Sequence, residues 1–259
     1  MIYWLESVDS TNRQALARRL PRWNAVVARE QTAGRGRRGR SWESPVGGLY
    51  MSVVVENDSL LPLRAGLAAR DALQPHCPER IGLKWPNDLL CAGGKLGGVL
   101  CEADGELAVA GIGLNLTGEP PIAGATTLEA AGGSLPPAAD WQARLDPLAT
   151  AIIARLRVLV RLPAPEFLAR YRVHEQLMGQ PVAWEGGRGT GHKRRCVAHC
   201  LKDSPPRRGP HRNPDGPILR QSSAPTCVPS RLAGAGRSQD HSAKQPPAPD
   251  RSRQGPQGL

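Results

Sequence analysis

Alternating apolar and polar positions predict most of the strands in the first two thirds of the chain. Leu49, Met51, Val53 and Val55 recur at every second position, the period of a strand with one face buried. Short apolar runs without helical spacing predict further strands, at 3–5, 25–28, 81–85, 96–102 and 107–116. Apolar residues at helical spacing predict four helices, at 13–19, 61–73, 148–159 and 165–172. The pattern favours an α+β fold, a mixed β-sheet with its helices on one face.

The helix starts carry local signals. Ser10 or Thr11 is suited to cap the first helix, and Pro62 falls in the first turn of the second. Asp146 followed by Pro147 predicts the start of the third helix, with the aspartate as its cap. Residues 180–184 read as the first strand of a separate small element.

Charge divides the chain into two parts. The 259 residues carry a formal net charge of +11, which by itself suggests a nucleic-acid partner. Residues 188–259 hold 14 Lys+Arg against 4 Asp+Glu, whereas residues 1–187 are almost balanced. The basic part also contains 11 of the 25 prolines and no aromatic residue. Such a composition cannot bury enough apolar surface to offset the entropy of ordering, so we expect it to be disordered.

Other compositional signals exclude several classes of protein. The chain has no apolar window long enough to span a membrane, and its first residues lack the layout of a signal peptide. We therefore expect a cytoplasmic protein with reduced cysteines. Four residues of the basic part could be suggested as a zinc site, but their spacing fits no zinc pattern: His192, Cys196, His199 and Cys200. We predict no metal-binding residues.

The segment from Glu30 to Trp42 carries the clearest chemical signal. It holds three glycines and, within six residues, four arginines: Arg35, Arg37, Arg38 and Arg40. Arginine offers a planar fork that suits phosphate and carboxylate groups. Because the segment has no hydrophobic period, it predicts a loop that orders over a polyanionic ligand. An Arg/Gly-rich nucleic-acid-binding tract is the alternative that this stretch alone leaves open.

A second candidate lies between two predicted strands. Lys95 follows Gly93-Gly94 at a turn and precedes Gly97-Gly98 inside a strand. Paired glycines within a strand indicate close approach of another group to the backbone. A solvated turn lysine would be the ordinary interpretation. The combination of this turn with the segment 30–42, called the Gly/Arg loop below, and with Lys-Trp-Pro-Asn-Asp at 84–88 favours a functional lysine.

These stretches, in this order, resemble the biotin protein ligase family over residues 1–187. The matching segments are Asp9-Ser10-Thr11-Asn12, 31–42, 84–88, 94–102 and Gly111-Ile112-Gly113-Leu114-Asn115. The resemblance implies a catalytic domain like that of class II aminoacyl-tRNA synthetases. It also implies a two-step reaction, in which biotin and ATP form biotinyl-AMP, which then biotinylates one lysine of a biotin carboxyl carrier protein.

The resemblance assigns roles to matching residues. The implied catalytic residues are Arg37 and Lys95. Arg37 would retain the intermediate, and Lys95 would contact the carboxylate and the α-phosphate. Biotin contacts are implied for Ser10, Thr11, Asn12, Gln31, Arg35, Gly36, Arg37 and Lys95. Nucleotide contacts are implied for Arg40, Trp42, Asn87, Asp88 and Asn115. ATP and biotin are the expected substrates, and Mg²⁺ is the expected cofactor. Asp88 would either help to bind Mg²⁺ or orient Lys95.

The two ends of the chain depart from the family pattern. No helix-turn-helix segment precedes Met1, so we expect no repressor function. Residues 1–175 match the catalytic domain, and 176–190 match the start of the SH3-like C-terminal domain. The expected strands then give way to the basic segment 191–259, which we interpret as out-of-frame or degenerate sequence. An authentic basic extension is the alternative.

Two other functions compete with biotin ligation. A lipoate or octanoyl ligase or transferase has a related core fold, but the Gly-Arg-Gly-Arg-Arg-Gly run argues against it. A nucleic-acid-binding protein would need aromatic residues interleaved with its basic tract. The basic segment has none, so we expect no nucleic-acid partner. The expected partner is the carrier protein of acetyl-CoA carboxylase, and both a monomer and a homodimer remain open.

Overall fold

The fold is built on a seven-stranded mixed sheet. The computed structural model describes residues 1–178, 181–184, 187–190 and 228–229. The strands lie in the order β1-β2-β3-β7-β6-β5-β4. Their bounds are Ile2–Val8 (β1), Ala25–Gln31 (β2), Gly48–Glu56 (β3), Gly82–Lys84 (β4), Asp88–Cys91 (β5), Gly94–Asp104 (β6) and Leu107–Asn115 (β7). β1 runs parallel to β2, and the other neighbours in this sheet are antiparallel.

The strands confirm the alternation in the sequence. All five segments predicted from short apolar runs lie on strands, and the alternating segment around Met51 forms β3. Apolar residues of β3 on both faces are buried, so both faces of the sheet centre are covered. The segment with the glycines and arginines joins β2 to β3, as predicted, within the connection 32–47, and the two strands pair antiparallel from Ala25↔Val53 to Ala28↔Tyr50.

Four helices cover the sheet, and they do not all lie on one face. They are Thr11–Ala17 (α1), Leu61–Leu73 (α2), Trp141–Leu159 (α3) and Ala164–His174 (α4). Residues from α2, α3 and α4 share the large core with Val53 of β3, whereas Ala15 of α1 packs with Val54. Successive strand residues point to opposite faces. The prediction of helices on one face is therefore wrong for α1, which covers the face opposite to α2–α4.

The start of α3 also differs from the prediction. The helix begins at Trp141, and the Asp140 carboxylate caps it by accepting a hydrogen bond from the Ala143 N–H at 2.8 Å. Pro147 lies inside the helix. Asp146-Pro147 is thus not the cap and first residue. A proline in the second turn has no N–H to donate, but the hydrogen bonds of the neighbouring turns and the packing of the apolar face stabilise the helix on both sides of it.

The C-terminal part contains a small sheet. Pro181–Trp184 (β8) pairs antiparallel with Gly187–Thr190 (β9) and with Val228–Pro229 (β10). β8 confirms the strand predicted at 180–184. Apart from β10, the predicted tail at 191–259, including the four residues considered for zinc, lies outside the described residues. Within the described part, no helix is both long and apolar enough to cross a membrane.

Arg64 of α2 is a buried charge that fastens the end of α3 to the core. Its side chain is 6% exposed and forms an ion pair with Asp58 at 2.5 Å. Its Nη1 donates to the carbonyl oxygens of Leu159, the last residue of α3, and of Leu162, three residues beyond it. Its guanidinium carbon also lies 4.7 Å from the centroid of the Phe167 ring. One side chain therefore satisfies carbonyl groups that a helix end leaves without partners.

We expect Arg64→Met to lower the free energy of unfolding by about 2 kcal/mol, because two buried carbonyl groups and a carboxylate lose their donor. For a domain of this size the melting temperature should fall by roughly 4–8 °C. Thermal unfolding followed by circular dichroism measures this. Arg170→Met is the control, since Arg170 pairs with Glu166 on an exposed helix face. Equal melting temperatures for both variants would show that Arg64 does not anchor α3.

Candidate active site

Three glycines form a flat floor on the α1 face of the sheet. Gly98 of β6 pairs with Gly113 of β7, and Gly111 lies two residues before Gly113. A Cβ atom on Gly113 would lie 2.6 Å from Nε1 of Trp42, and one on Gly111 would lie 2.3 Å from Oδ1 of Asn12. Real side chains never approach so closely, so both positions need glycine. The predicted close approach to the paired glycines of β6 is confirmed at Gly97, where a Cβ would lie 2.6 Å from Leu114 Cδ2. A Cβ on Gly98 would be in ordinary contact with the Trp42 ring, at 3.4 Å.

The Gly/Arg loop lies over this floor as a closed turn. The Gly36 N–H donates to the Arg40 carbonyl at 2.7 Å, and the Trp42 N–H donates to the Gly34 carbonyl at 2.9 Å. Arg38, in the turn between them, has a φ of 59°, in the left-handed region. The backbone of the loop thus satisfies part of its own hydrogen bonding.

Two cations of the site are held by adjacent residues, Asn87 and Asp88, at the start of β5. Arg37 Nη1 donates to the Asn87 side-chain oxygen at 3.1 Å. Lys95 Nζ lies 2.8 Å from the Asp88 carboxylate and 5.2 Å from the centroid of the Trp42 ring. This segment is itself tied to β6, because the Asn87 side-chain amide donates to the Val99 carbonyl. The Gly/Arg loop and Lys95 therefore meet at the start of β5. Lys95 lies on β6, so the prediction that it lies at a turn is wrong: the turn is formed by residues 92–93.

Lys95 is positioned through its backbone. Its N–H donates to the Gly124 carbonyl at 2.9 Å, and its carbonyl accepts from the Thr126 N–H at 3.0 Å. The Asn115 side-chain amide also points at the carbonyl oxygens of Lys95 and Thr126. Only 32% of the Lys95 side chain is exposed. The backbone that carries the Lys95 side chain is therefore held in a fixed position beside the glycine floor.

A buried network of polar side chains lies at the other end of the floor. The Ser52 hydroxyl is 2.6 Å from Asn12 Oδ1 and 2.8 Å from the Thr11 hydroxyl. Gln31 Oε1 accepts from the Thr11 N–H at 2.8 Å and lies 3.1 Å from its hydroxyl. The Gln31 amide nitrogen then donates to Ser44 at 2.8 Å. Hydrogen-bonding groups in a buried pocket can fix the orientation of a polar ring.

The site offers neither a thiol nucleophile nor an all-protein metal site within the described ranges. Burial, followed by the hydrogen bond to Cys77, raises the pKa of the Cys91 thiol to about 12. This thiol therefore stays protonated near neutral pH, and the thiolate is the reactive form. Residues 1–178 and the short strands after them contain no group of three or more His, Cys, Asp or Glu able to hold a metal ion. The chemistry of this face depends on cations, amides and hydroxyls.

Comparison with known proteins identifies the family. A family profile described as biotin/lipoate A/B protein ligase matches residues 4–116. The biotin–[acetyl-CoA-carboxylase] ligase of Paracoccus denitrificans is 40% identical over 207 residues, which cover 73% of this chain and 86% of that protein. The chain belongs to the biotin protein ligase family.

Solved ligase structures share the fold. The biotin protein ligase of Aquifex aeolicus in complex with biotin and ATP matches with a TM-score of 0.63 at 33% identity, over 74% of this chain and 85% of that one. The Leishmania major ligase in complex with biotinyl-5-AMP matches with a TM-score of 0.58 at 33% identity, over 68% and 81%. The mixed seven-stranded sheet with its helices is thus the biotin protein ligase fold.

The ligase fold gathers most of the predicted site residues on one face. Thr11, Asn12 and Gln31 belong to the buried network, and Arg37, Asn87, Asp88 and Lys95 meet beside the floor. Gly36 closes the loop, Arg40 is exposed near Trp42, and Ser10 is buried at the N-cap of α1. Ser10 makes no side-chain cap bond there. Asn115 holds the carbonyl of Lys95, an arrangement that the sequence did not indicate. Their roles in binding remain predictions.

Two further ligase residues join this face and were missed by sequence reasoning. Ser52 is a buried polar residue in the apolar strand β3, and that break in the pattern was its available signal. Glu102 lies on β6 and contacts Arg35 at 2.8 Å, 67 positions away along the chain. No local pattern indicates such a contact, because it is set by how the loop crosses the sheet.

Proposed function

We propose that this chain is an ATP-dependent ligase that activates biotin as biotinyl-AMP. It then transfers the biotinyl group to one lysine of the biotin carboxyl carrier protein of acetyl-CoA carboxylase. The observation that supports this best is the pairing of Arg37 and Lys95 with the adjacent residues Asn87 and Asp88. Cations from two separate segments converge beside a glycine floor on which the Trp42 ring lies.

The first step brings two anions together. A carboxylate oxygen of biotin attacks the α-phosphorus of ATP, the new P–O bond forms, and pyrophosphate leaves with the electrons of the broken bond. Lys95 contacts the carboxylate and the α-phosphate, and the 35–37 loop closes over the product. Fixed cations stabilise charge that grows in the transition state without reorganising. Lys95, whose backbone is held on both sides, can stabilise the transition state in this way.

The second step joins the acyl group to the carrier. The neutral ε-amine of the carrier lysine attacks the acyl carbonyl carbon, and the bond from that carbon to the phosphate oxygen breaks. AMP leaves with that oxygen, and the nitrogen releases one proton to solvent as the amide forms. Arg37 retains the acyl-adenylate until the carrier arrives. Trp42, Arg40, Asn87 and Asn115 are assigned to the nucleotide side in this proposal. We place the reaction in the cytoplasm, where ATP and the carboxylase meet.

Mg²⁺ fits this site only as a companion of the triphosphate. Magnesium is usually held by one or two carboxylates together with phosphate oxygens and water. Asp88 is a carboxylate beside Lys95 and is engaged with it, and the described residues build no cage around it. When bound, the ion neutralises phosphate charge. The residues described here orient the substrates.

The buried network favours biotin over lipoate or octanoate. The ureido ring of biotin carries two N–H donors and a carbonyl acceptor, whereas the tails of lipoate and octanoate offer no comparable polar group. Thr11 and Ser52 are 4% and 0% exposed and form a connected set with Gln31. A polar ring can exchange hydrogen bonds with such groups, whereas an apolar tail placed against them would only remove them from water, so the site favours the polar ring.

A three-substrate labelling experiment tests the proposal. The purified chain is incubated with ATP, Mg²⁺ and a carrier domain, with biotin, lipoate or octanoate supplied in parallel. We expect biotin alone to be incorporated, and a carrier whose target lysine is replaced by arginine should remain unlabelled. Equal labelling by lipoate or octanoate would favour the alternative ligase. Binding of single-stranded RNA or DNA with no acyl transfer would favour the alternative that the chain is a nucleic-acid-binding protein.

A further inference from the structure

Glu102 is the one acidic side chain described here that bridges the Gly/Arg loop and the start of α1. Its Oε1 lies 2.8 Å from Arg35 Nη1, and its Oε2 accepts from the Asn12 amide nitrogen at 2.8 Å. Its side chain is 22% exposed, so solvent reaches the pair only in part. The two oxygens therefore serve two segments that lie more than twenty residues apart in the chain.

The carboxylate also fixes which way the Asn12 amide points. The Asn12 nitrogen has two acceptors, the Leu100 carbonyl at 3.1 Å and Glu102. Its oxygen must then face Ser52, and the Ser52 hydroxyl can donate to it. An amide has one acceptor end and one donor end, whereas an ionised carboxylate has acceptors only. Glu102 thus sets the donor direction of the network that continues to Thr11.

Neither partner of Glu102 can easily find a substitute. Asn12 is 4% exposed and lies against Gly111, where even a Cβ would be 2.3 Å from its oxygen. Arg35 belongs to a loop whose four arginines repel one another, and a fixed carboxylate lowers that repulsion before any ligand arrives. Loss of the acceptor would free the loop and would leave a buried donor unpaired.

We propose that Glu102 is a positioning residue of the acyl-binding site, which sets the location of Arg35 and the orientation of the Asn12 amide. It acts through these two residues and does not touch the reacting atoms. The proposal depends on the proposed function only in the identity of the acyl substrate. Its effect on the loop and on the amide network is independent of which reaction the site performs.

Glu102→Gln tests the role with almost unchanged shape. Glutamine offers an acceptor to only one of the two donors and turns its own amide donor toward the other. We expect the KM for biotin to rise about tenfold while kcat changes less than about threefold, because a preorganised binding contact is lost. Asp104→Asn is the matched control, an exposed carboxylate two residues along the same strand and face. It should leave both constants unchanged.

A double-mutant comparison separates positioning from a general loss of structure. On an Arg35→Ala background the effect of Glu102→Gln on KM should shrink, since one of its two partners is already absent. The same effect in both backgrounds would overturn the link to Arg35. A modest fall in melting temperature relative to Asp104→Asn is expected from the unpaired buried donor, with KM changed far more than kcat. A large fall with kcat and KM altered together would assign Glu102 a purely structural role.

Limited trypsin digestion tests the loop without any ligase reaction. Fragments ending at Arg35, Arg37, Arg38 or Arg40 are quantified by mass spectrometry in the full chain without ligands. We expect them to appear several-fold faster in Glu102→Gln than in wild type, and at the wild-type rate in Asp104→Asn. Unchanged cleavage in Glu102→Gln would overturn the proposal. A chain that forms no biotinyl-AMP but shows faster cleavage would instead contradict the proposed function alone.

Discussion

Replacing Lys95 with alanine is expected to slow biotinyl-AMP formation by about two to three orders of magnitude, or ~3–4 kcal/mol at the transition state. The reason is geometric. The backbone of Lys95 is fixed on both sides by Gly124 and Thr126, and its ammonium is held 2.8 Å from Asp88. A charge placed in this way needs little reorganisation to meet charge that develops at the α-phosphate. A solvated lysine would contribute far less.

Biotin-dependent pyrophosphate release, measured under single-turnover conditions, reports this step. Lys95→Arg should recover only part of the rate, because a planar guanidinium differs from a compact ammonium in reach and geometry. Lys84→Ala is the matched control, a lysine of β4 whose Cα pairs with that of Asp88. It should stay within a few-fold of wild type. If Lys95→Ala and Lys95→Arg both release pyrophosphate at the wild-type rate, Lys95 has no place in the reaction.

Arg37→Gly is expected to uncouple the two steps. Arg37 reaches across from the loop to Asn87, so its guanidinium lies between the loop and the start of β5. A hydrogen bond to a charged group contributes about 1.5–3 kcal/mol, and its loss should release biotinyl-AMP roughly 10–100 times faster. Adenylate formation should change much less, because Lys95 remains in place.

Labelling of an unrelated lysine-rich protein measures the escaped intermediate. Arg37→Gly should biotinylate that protein at least tenfold more than wild type, as expected for the faster release. Arg18→Gly is the control, since Arg18 is an exposed residue at the C-cap of α1 and lies outside the Gly/Arg loop. A variant that still makes adenylate but labels no more than wild type would remove the retaining role of Arg37.

Local patterns predicted the elements well and their arrangement less well. Alternation in β3 and short apolar runs identified strands because side-chain burial has a period that the sequence records directly. The face covered by α1 was missed, since apolar spacing shows that a helix is buried and not which side of the sheet it meets. Asp140 was overlooked as a cap because Asp146-Pro147 gave the stronger local signal, although packing carries α3 through Pro147.

In the candidate site, too, the local motifs were predictable from the sequence and the contacts between them were not. Its motifs were visible as unusual residues at short spacing, and the glycine pair of β6 indicated a close neighbour. The identity of that neighbour, Leu114, depends on how β6 pairs with β7, and the contact of Trp42 with Gly113 depends on how the loop folds back over the sheet. The ion pair between Arg35 and Glu102 and the support of Lys95 by Asn115 depend likewise on long-range register. Such contacts follow from topology, which local spacing does not encode.

Biotin-dependent exchange of labelled pyrophosphate into ATP tests the central claim most directly, because exchange requires reversible formation of biotinyl-AMP at this site. With the full chain, ATP and Mg²⁺, we expect exchange that starts only when biotin is added and that falls by about two to three orders of magnitude in Lys95→Ala. Exchange that ignores biotin, or that Lys95→Ala retains in full, would contradict the assignment of this face as a biotin-activating site.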